Sequence, residues 1–250
     1  MYALLGGLGF ICYFMIDVEH LEPEEIKDKK ALNCAGIEHD NMPTIIKLSI
    51  LFASDALGGA FITQTFISLY YQERYNVNFD EIGVYLFICN VISGISGVLS
   101  SKLVNCIGAL ATMIYTHLPS NIFLILIFIT TNPTLSIIFL FGRFCISQMD
   151  VPARQTFVTL LVSPNERSAA NGITNIARSV GLSLGLGING YLIGMTSDHW
   201  AFSLPFLIAG VIKIVYDLTI GCFFLWNKKK EQSKYEVGAV EIVESSKTDI

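Results

Sequence analysis

Residues 137–192 read IIFLFGRFCISQMDVPARQTFVTLLV, then SPNERS, then AANGITNIARSVGLSLGLGINGYL. Two apolar runs, each long enough to cross the hydrocarbon core of a bilayer, flank one short polar turn. The stretch is therefore expected to be two membrane-spanning helices joined by a hairpin. Both runs carry charges, which lipid makes costly. A helix places Arg143, Ser147, Asp150 and Arg154 on one face, because they recur at i, i+4, i+7 and i+11. Asn171, Asn175 and Arg178 repeat that spacing in the second run, and Gly185 and Asn189 prolong the stripe. A polar stripe on an apolar helix has to face water, a partner or a solute.

The composition agrees with a membrane protein. Of 250 residues, 52% are hydrophobic and only 15% charged, with a mean hydropathy of +0.56. A soluble domain carries about 25% charged residues. Much of this surface must therefore face something other than water. The net charge of -5 and the scatter of basic residues at span ends give no nucleic-acid signal. Cys12, Cys34, Cys89, Cys106, Cys145 and Cys222 show no CxxC spacing, so they are read as packing residues. His20 and His39 stand apart from any metal-ligand spacing. No cofactor and no metal are expected.

Outward from the central pair, the chain divides as follows. Residues 1–16 are an apolar run without the basic flank or cleavage site of a signal peptide, and are read as a partial or short transmembrane helix. Residues 17–45 are a polar linker, and residues 46–226 hold six spans. The first of these carries Asp55 and Gln64 and ends on Tyr70 and Tyr71, which suit a membrane interface. In the second, Asn90, Ser93, Gly94, Gly97 and Ser101 form a small, polar strip suited to close helix packing, with Asn90 a further candidate for a solute pathway. The third contains His117 and Pro119. His117 is open to two readings, a proton relay or a hydrogen bond to a carbonyl released by the proline. The sixth carries Lys213 and Asp217 four residues apart, which predicts an ion pair along one helix. Residues 227–250 begin with Lys228, Lys229 and Lys230 and form a polar tail, expected to be disordered.

Orientation follows from basic residues near span ends. With the Lys228–Lys230 end in the cytosol, the segments holding Lys27, Lys29, Lys30, Lys47, Lys102 and Arg167 also fall inside, and the opposite loops hold only Arg74. The expected location is an integral, multi-pass membrane protein with a cytoplasmic C-terminus.

The turn supplies a resemblance. Pro164, Glu166, Arg167, Ala170 and Gly172 match the pattern P-x-E-R-x-x-A-x-G, which resembles the turn after the fourth helix of a major facilitator superfamily half. Arg143 is similar to the membrane arginine of that family's fourth helix. Gly181, Gly185, Gly187 and Gly190 are similar to its glycine-rich fifth helix. The likeness covers residues 46–226. It departs from the pattern at SSKLVNCIG, which lacks the family's aspartate, and in having no proline between Gly181 and Gly194.

The resemblance implies an all-α polytopic bundle, the C-terminal six-helix half of a transporter whose N-terminal six-helix half is missing here. It implies that helices one and four of the half line a central cavity, that two and five meet the other half, and that three and six lie outside. The implied activity is secondary active transport of a small solute by alternating access, with protons as a candidate coupling ion and the lipid bilayer as partner. Candidate pathway residues are Asp55, Gln64, Asn90, Arg143, Ser147, Asp150, Asn175 and Arg178. Asp55 is the candidate proton carrier, and Arg143 the candidate contact to an anionic group. Asp150, Arg154, Glu166 and Arg167 are the candidate cytoplasmic gate, with Pro152 bending the helix beside them. The rival class is a non-transporting seven-helix receptor or scaffold. A membrane-embedded enzyme is disfavoured, since the spans carry no Ser-x-x-x-Lys, His-Glu-x-x-His or paired intramembrane aspartates.

Overall fold

The computed structural model describes residue 37, residues 41–195 and residues 201–222. The first apolar run, most of the linker, His20, His39 and the polar tail lie outside the described residues. The described chain is helical, and six of its segments are long and apolar enough to span a membrane. The protein is an all-α, multi-pass membrane protein.

The first span is Met42–Tyr75, formed by α1 (Met42–Ala60) and α2 (Gln64–Tyr75). Pro43 fits the first turn of α1, where a backbone N–H has no intrahelical acceptor anyway, so the helix starts slightly before position 46. Between α1 and α2 the chain leaves helical geometry at Thr63, whose hydroxyl accepts the Phe66 N–H at 3.2 Å. Asn76, in the left-handed region with φ 53°, ends α2.

The second span is α3 (Phe79–Ile107), opened by Asp80 and Glu81 in its first turn. Gly108, at φ 86°, turns the chain directly into the third span, α4 (Ala109–Ile129), a conformation that favours glycine. Asn132 then caps α5 (Pro133–Ser147), its side chain accepting the Thr134 and Leu135 N–H groups.

The fourth span is not one continuous helix. α5 stops at Ser147 and α6 (Asp150–Leu161) begins after Gln148 and Met149. The cause is Pro152, which has no N–H for the carbonyl four residues back and whose ring crowds it. Serines of α3 meet the loosened backbone: Ser100 donates to the Met149 carbonyl at 2.5 Å and Ser93 to the Phe144 carbonyl at 3.4 Å. The bend expected at Pro152 thus lies just before it.

A capping box closes the turn, with Ser163 and Glu166 bonding reciprocally. The fifth span follows as α7 (Arg167–Gly194), and the sixth is α8 (Leu204–Cys222).

α1 packs extensively against α7. Gly181 makes this possible, since a Cβ there would run into the Ala53 carbonyl of α1. Gly185 likewise leaves room for Ala60 and the Leu57 carbonyl. Asn189 donates to the Phe61 carbonyl at 3.2 Å, capping the end of α1. The Gly185–Asn189 part of the sequence stripe therefore serves packing and capping rather than a pathway.

The small strip on α3 is also shifted. Cys89, Ser96 and Ser100 form the buried face, while a Cβ on Gly94 or Gly97 would meet no atom within 4 Å. Two small-residue stripes run side by side on this helix, and spacing alone could not choose between them.

Two apolar clusters fill the bundle. One gathers Phe66, Tyr70, Leu124, Leu140, Phe144 and Phe206; the other gathers Leu48, Phe52, Met113, Ala153, Tyr216 and Ile220. On α1, α4, α8 and the fourth span the chain passes from one cluster to the other. The residues at the crossing are Asp55, His117, Lys213 and Asp150, all buried.

Candidate functional site

Asp55 is the hub of this layer. Its Oδ1 lies 2.5 Å from Lys213 Nζ and 3.5 Å from His117 Nε2. Its Oδ2 accepts from Arg154 Nη1 at 3.1 Å and from Arg178 Nη1 at 3.2 Å. Arg154 extends the network with its second nitrogen, 3.4 Å from Asp150 one turn earlier, and its guanidinium rests over the Phe52 ring at 5.6 Å. His117 extends it the other way, with Nδ1 2.7 Å from Asp217 Oδ1. Asn121, one turn after His117, donates to Asp217 Oδ2 at 2.8 Å. Five helices thus contribute charge to one buried layer, which reduces the cost of each ion by pairing it.

Arg143 is half-buried. It donates to Ser120 at 2.9 Å and lies within electrostatic reach of Asp55 and Asp150. Ser147 is buried at the end of α5, beside the break.

The layer opens to one side. A cavity of about 410 Å³ is lined by Asp55, Gly59, Asn175, Arg178, Ser179 and Lys213, among others. A smaller one of about 120 Å³ has Arg154, Asn171, Thr174, Asn175 and Arg178 in its wall. Asn175 and Arg178 line both. The Arg178 side chain is 29% exposed, against 8% for Arg154 and 7% for Lys213, so Arg178 carries the network to the open space.

Three sequence readings change here. Lys213 and Asp217 were expected to pair along α8; instead Lys213 reaches across to Asp55 and Asp217 to His117. His117 was open to two readings; its two ring nitrogens face two carboxylates, which replaces the bond to a backbone carbonyl near Pro119 and leaves the relay reading open. The third and sixth spans were expected to lie outside, yet they carry His117, Asn121, Lys213 and Asp217 into the middle. Charge complementarity between helices, rather than spacing along one, decides these contacts. The available signal was the pair of polar i, i+4 couples, His117 with Asn121 and Lys213 with Asp217, on two otherwise apolar helices.

The other candidates fall elsewhere. Gln64 donates to Asn90 at 2.8 Å, and the two exposed side chains join α2 to α3 apart from the charged layer. Of the four gate candidates, Asp150 and Arg154 belong to the layer. Glu166 instead accepts from Ser163 and from Asn41 Nδ2 at the hairpin, and Arg167 donates to the Thr159 carbonyl.

Asp55, His117 and Asp150 bring ligand atoms within 4.8 Å of one another, a spacing that could hold a metal ion. Lys213, Arg154 and Arg178 already occupy the oxygens of Asp55. A divalent cation there would have to displace permanent positive charges, so the chemistry of the donor set disfavours one.

The family model described as Major Facilitator Superfamily matches residues 1–185 and, in a second overlapping match, residues 48–239. An uncharacterized membrane protein of Saccharomyces cerevisiae is 28% identical over 204 residues, covering 81% of this chain and 43% of the relative. The chain spans less than half the length of that curated relative.

Proposed function

The chain belongs to the Major Facilitator Superfamily, and from that premise we propose that it forms half of a secondary active transporter that moves a small solute by alternating access. In this reading a second six-helix half completes the pathway, and the two rock around the Asp55 layer. The observation that carries the proposal is the depth of that layer. Ionisable side chains from five helices meet between two apolar clusters, beside an open cavity of about 410 Å³ lined by Asp55, Arg178 and Lys213. A purely structural bundle has little reason to keep exchangeable ion pairs there, since well-packed apolar residues can replace buried pairs at no cost in stability.

Proton coupling enters through His117. Its two nitrogens face Asp55 and Asp217, so the ring can pass a proton between them. The basic residues Lys47, Lys102 and Arg167 support a cytoplasmic C-terminus.

The test is solute uptake by the full-length protein in proteoliposomes, with and without a pH gradient. Asp55→Asn is expected to reduce turnover at least tenfold, on the order of one lost charged contact. Undiminished uptake by that variant would remove the Asp55 layer from the pathway.

A further inference from the structure

The charges of the layer do not balance. Among the described residues it holds three arginines, Arg143, Arg154 and Arg178, and one lysine, Lys213, against three carboxylates, Asp55, Asp150 and Asp217; with Lys213 counted as an ammonium in its contact with Asp55, the carboxylates as ionised and His117 as neutral, one positive charge is left over. Asp217 is taken up by His117 and Asn121 and makes no ion pair with the four cations. Arg154 shares Asp150 with Asp55, whereas Lys213 and Arg178 have Asp55 as their one carboxylate partner among the described residues. A carboxylate has two oxygens and about four lone-pair positions, and here they are divided among Lys213, Arg178 and one arm of Arg154, of which only Arg154 has a second carboxylate. Burial makes leftover positive charge expensive unless an anion meets it.

The leftover charge is also accessible. Arg178 contacts Asp55 through Nη1 and is 29% exposed, in the wall shared by both cavities. Asn175 and Ser179 stand beside it on α7, and Lys213 also lines the larger cavity. A planar guanidinium with a free edge matches a carboxylate in two parallel hydrogen bonds. The surplus of one charge suits a monoanion.

Resting on the transport reading above, we propose that the solute bears a single carboxylate, which binds between Arg178 and Lys213 and takes over the contacts those residues make to Asp55. Asp55 is the internal counterion that holds the site when it is empty. The remainder of the solute occupies the larger cavity, whose volume is that of a site for a small organic molecule.

The experiment measures the melting temperature of the full-length protein in nanodiscs against a graded panel: acetate, lactate, hexanoate and benzoate, each with its neutral amide, together with inorganic phosphate and alkylamines. At least one monocarboxylate is expected to raise the melting temperature in a saturable way while its amide does not. Arg178→Gln is expected to weaken that response roughly ten- to a hundredfold, the worth of a charged hydrogen bond. Arg178→Lys keeps the charge, guards against a folding defect, and is expected to recover part of it. Asp55→Asn, which removes the competing carboxylate, is expected to shift half-saturation to lower concentration. The proposal is overturned if amides or amines act as well as acids, if phosphate acts more strongly than every carboxylate, if nothing in the panel acts, or if Arg178→Gln responds like the parent. Flux of the same compounds into proteoliposomes separates the two readings. Saturable, Arg178-dependent binding without flux retains the carboxylate site and defeats transport. Flux of a neutral or cationic solute alone retains transport and defeats the carboxylate site.

Discussion

Lys213 Nζ lies 2.5 Å from Asp55 Oδ1, tying the sixth span to the first across the middle of the bundle. The contact accounts for the glycine at Gly58, where a Cβ would crowd the lysine stem, while Gly59 borders it at ordinary contact distance. A Cβ on Gly58 would sit 3.1 Å from Lys213 Cγ, and one on Gly59 3.8 Å from its Nζ. The stem of the lysine lies along this small surface of α1 while its ammonium reaches the carboxylate.

Removal of Asp55 should be far worse than its neutralisation. Asp55→Leu leaves Lys213 and Arg178 without their carboxylate and Arg154 with Asp150 alone. The expected loss is about 3–5 kcal/mol, as for breaking a buried ion pair. Asp55→Asn keeps one acceptor oxygen and should cost less. Thermal unfolding in detergent ranks the two, and an equal effect would mean that the cations do not depend on this side chain.

The glycines of α7 should separate into two groups. Gly185→Ala forces its Cβ to within 2.6 Å of the Leu57 carbonyl and of Ala60, and is expected to cost about 1–3 kcal/mol. Gly181→Ala, against the Ala53 carbonyl, should be at least as damaging. Gly187→Ala meets nothing within 4 Å and should be neutral or stabilising by up to about 1 kcal/mol. Melting temperatures of the three single variants decide the matter.

His117 and Asp217 should be energetically coupled. A double-mutant cycle with His117→Gln and Asp217→Asn is expected to give an interaction of about 0.5–3 kcal/mol, the range for residues in one network. Additive effects would instead favour a histidine held by the backbone near Pro119.

Tyr216 should tolerate loss of its hydroxyl. The ring packs against Phe52 and His117, but its buried oxygen has no hydrogen-bond partner among the described residues. An unmade buried hydrogen bond costs about 1–3 kcal/mol, so Tyr216→Phe should be neutral or stabilising. A marked fall in melting temperature for that variant would contradict this.

The linear sequence determined the class and the order of the spans. Apolar runs of sufficient length, Gly108, Pro133, the Ser163–Glu166 cap and Asn76 are local signals, and local backbone chemistry settles where a helix begins and ends. The stripe spacing also brought Asp150, Arg154 and Arg178 forward, because a helix fixes which residues share a face. Partnership was beyond it. Lys213 four residues before Asp217 reads as an ion pair on one helix, and only the approach of α1 and α4 to α8 offered each of them a closer, better-desolvated partner. The choice between adjacent stripes on α3, and the role of Asn189 as a cap, likewise depended on which neighbour came near. A sequence states which groups a helix can present, but the energy of a buried charge is set by what stands opposite it, and that is decided by the packing of helices far apart in the chain.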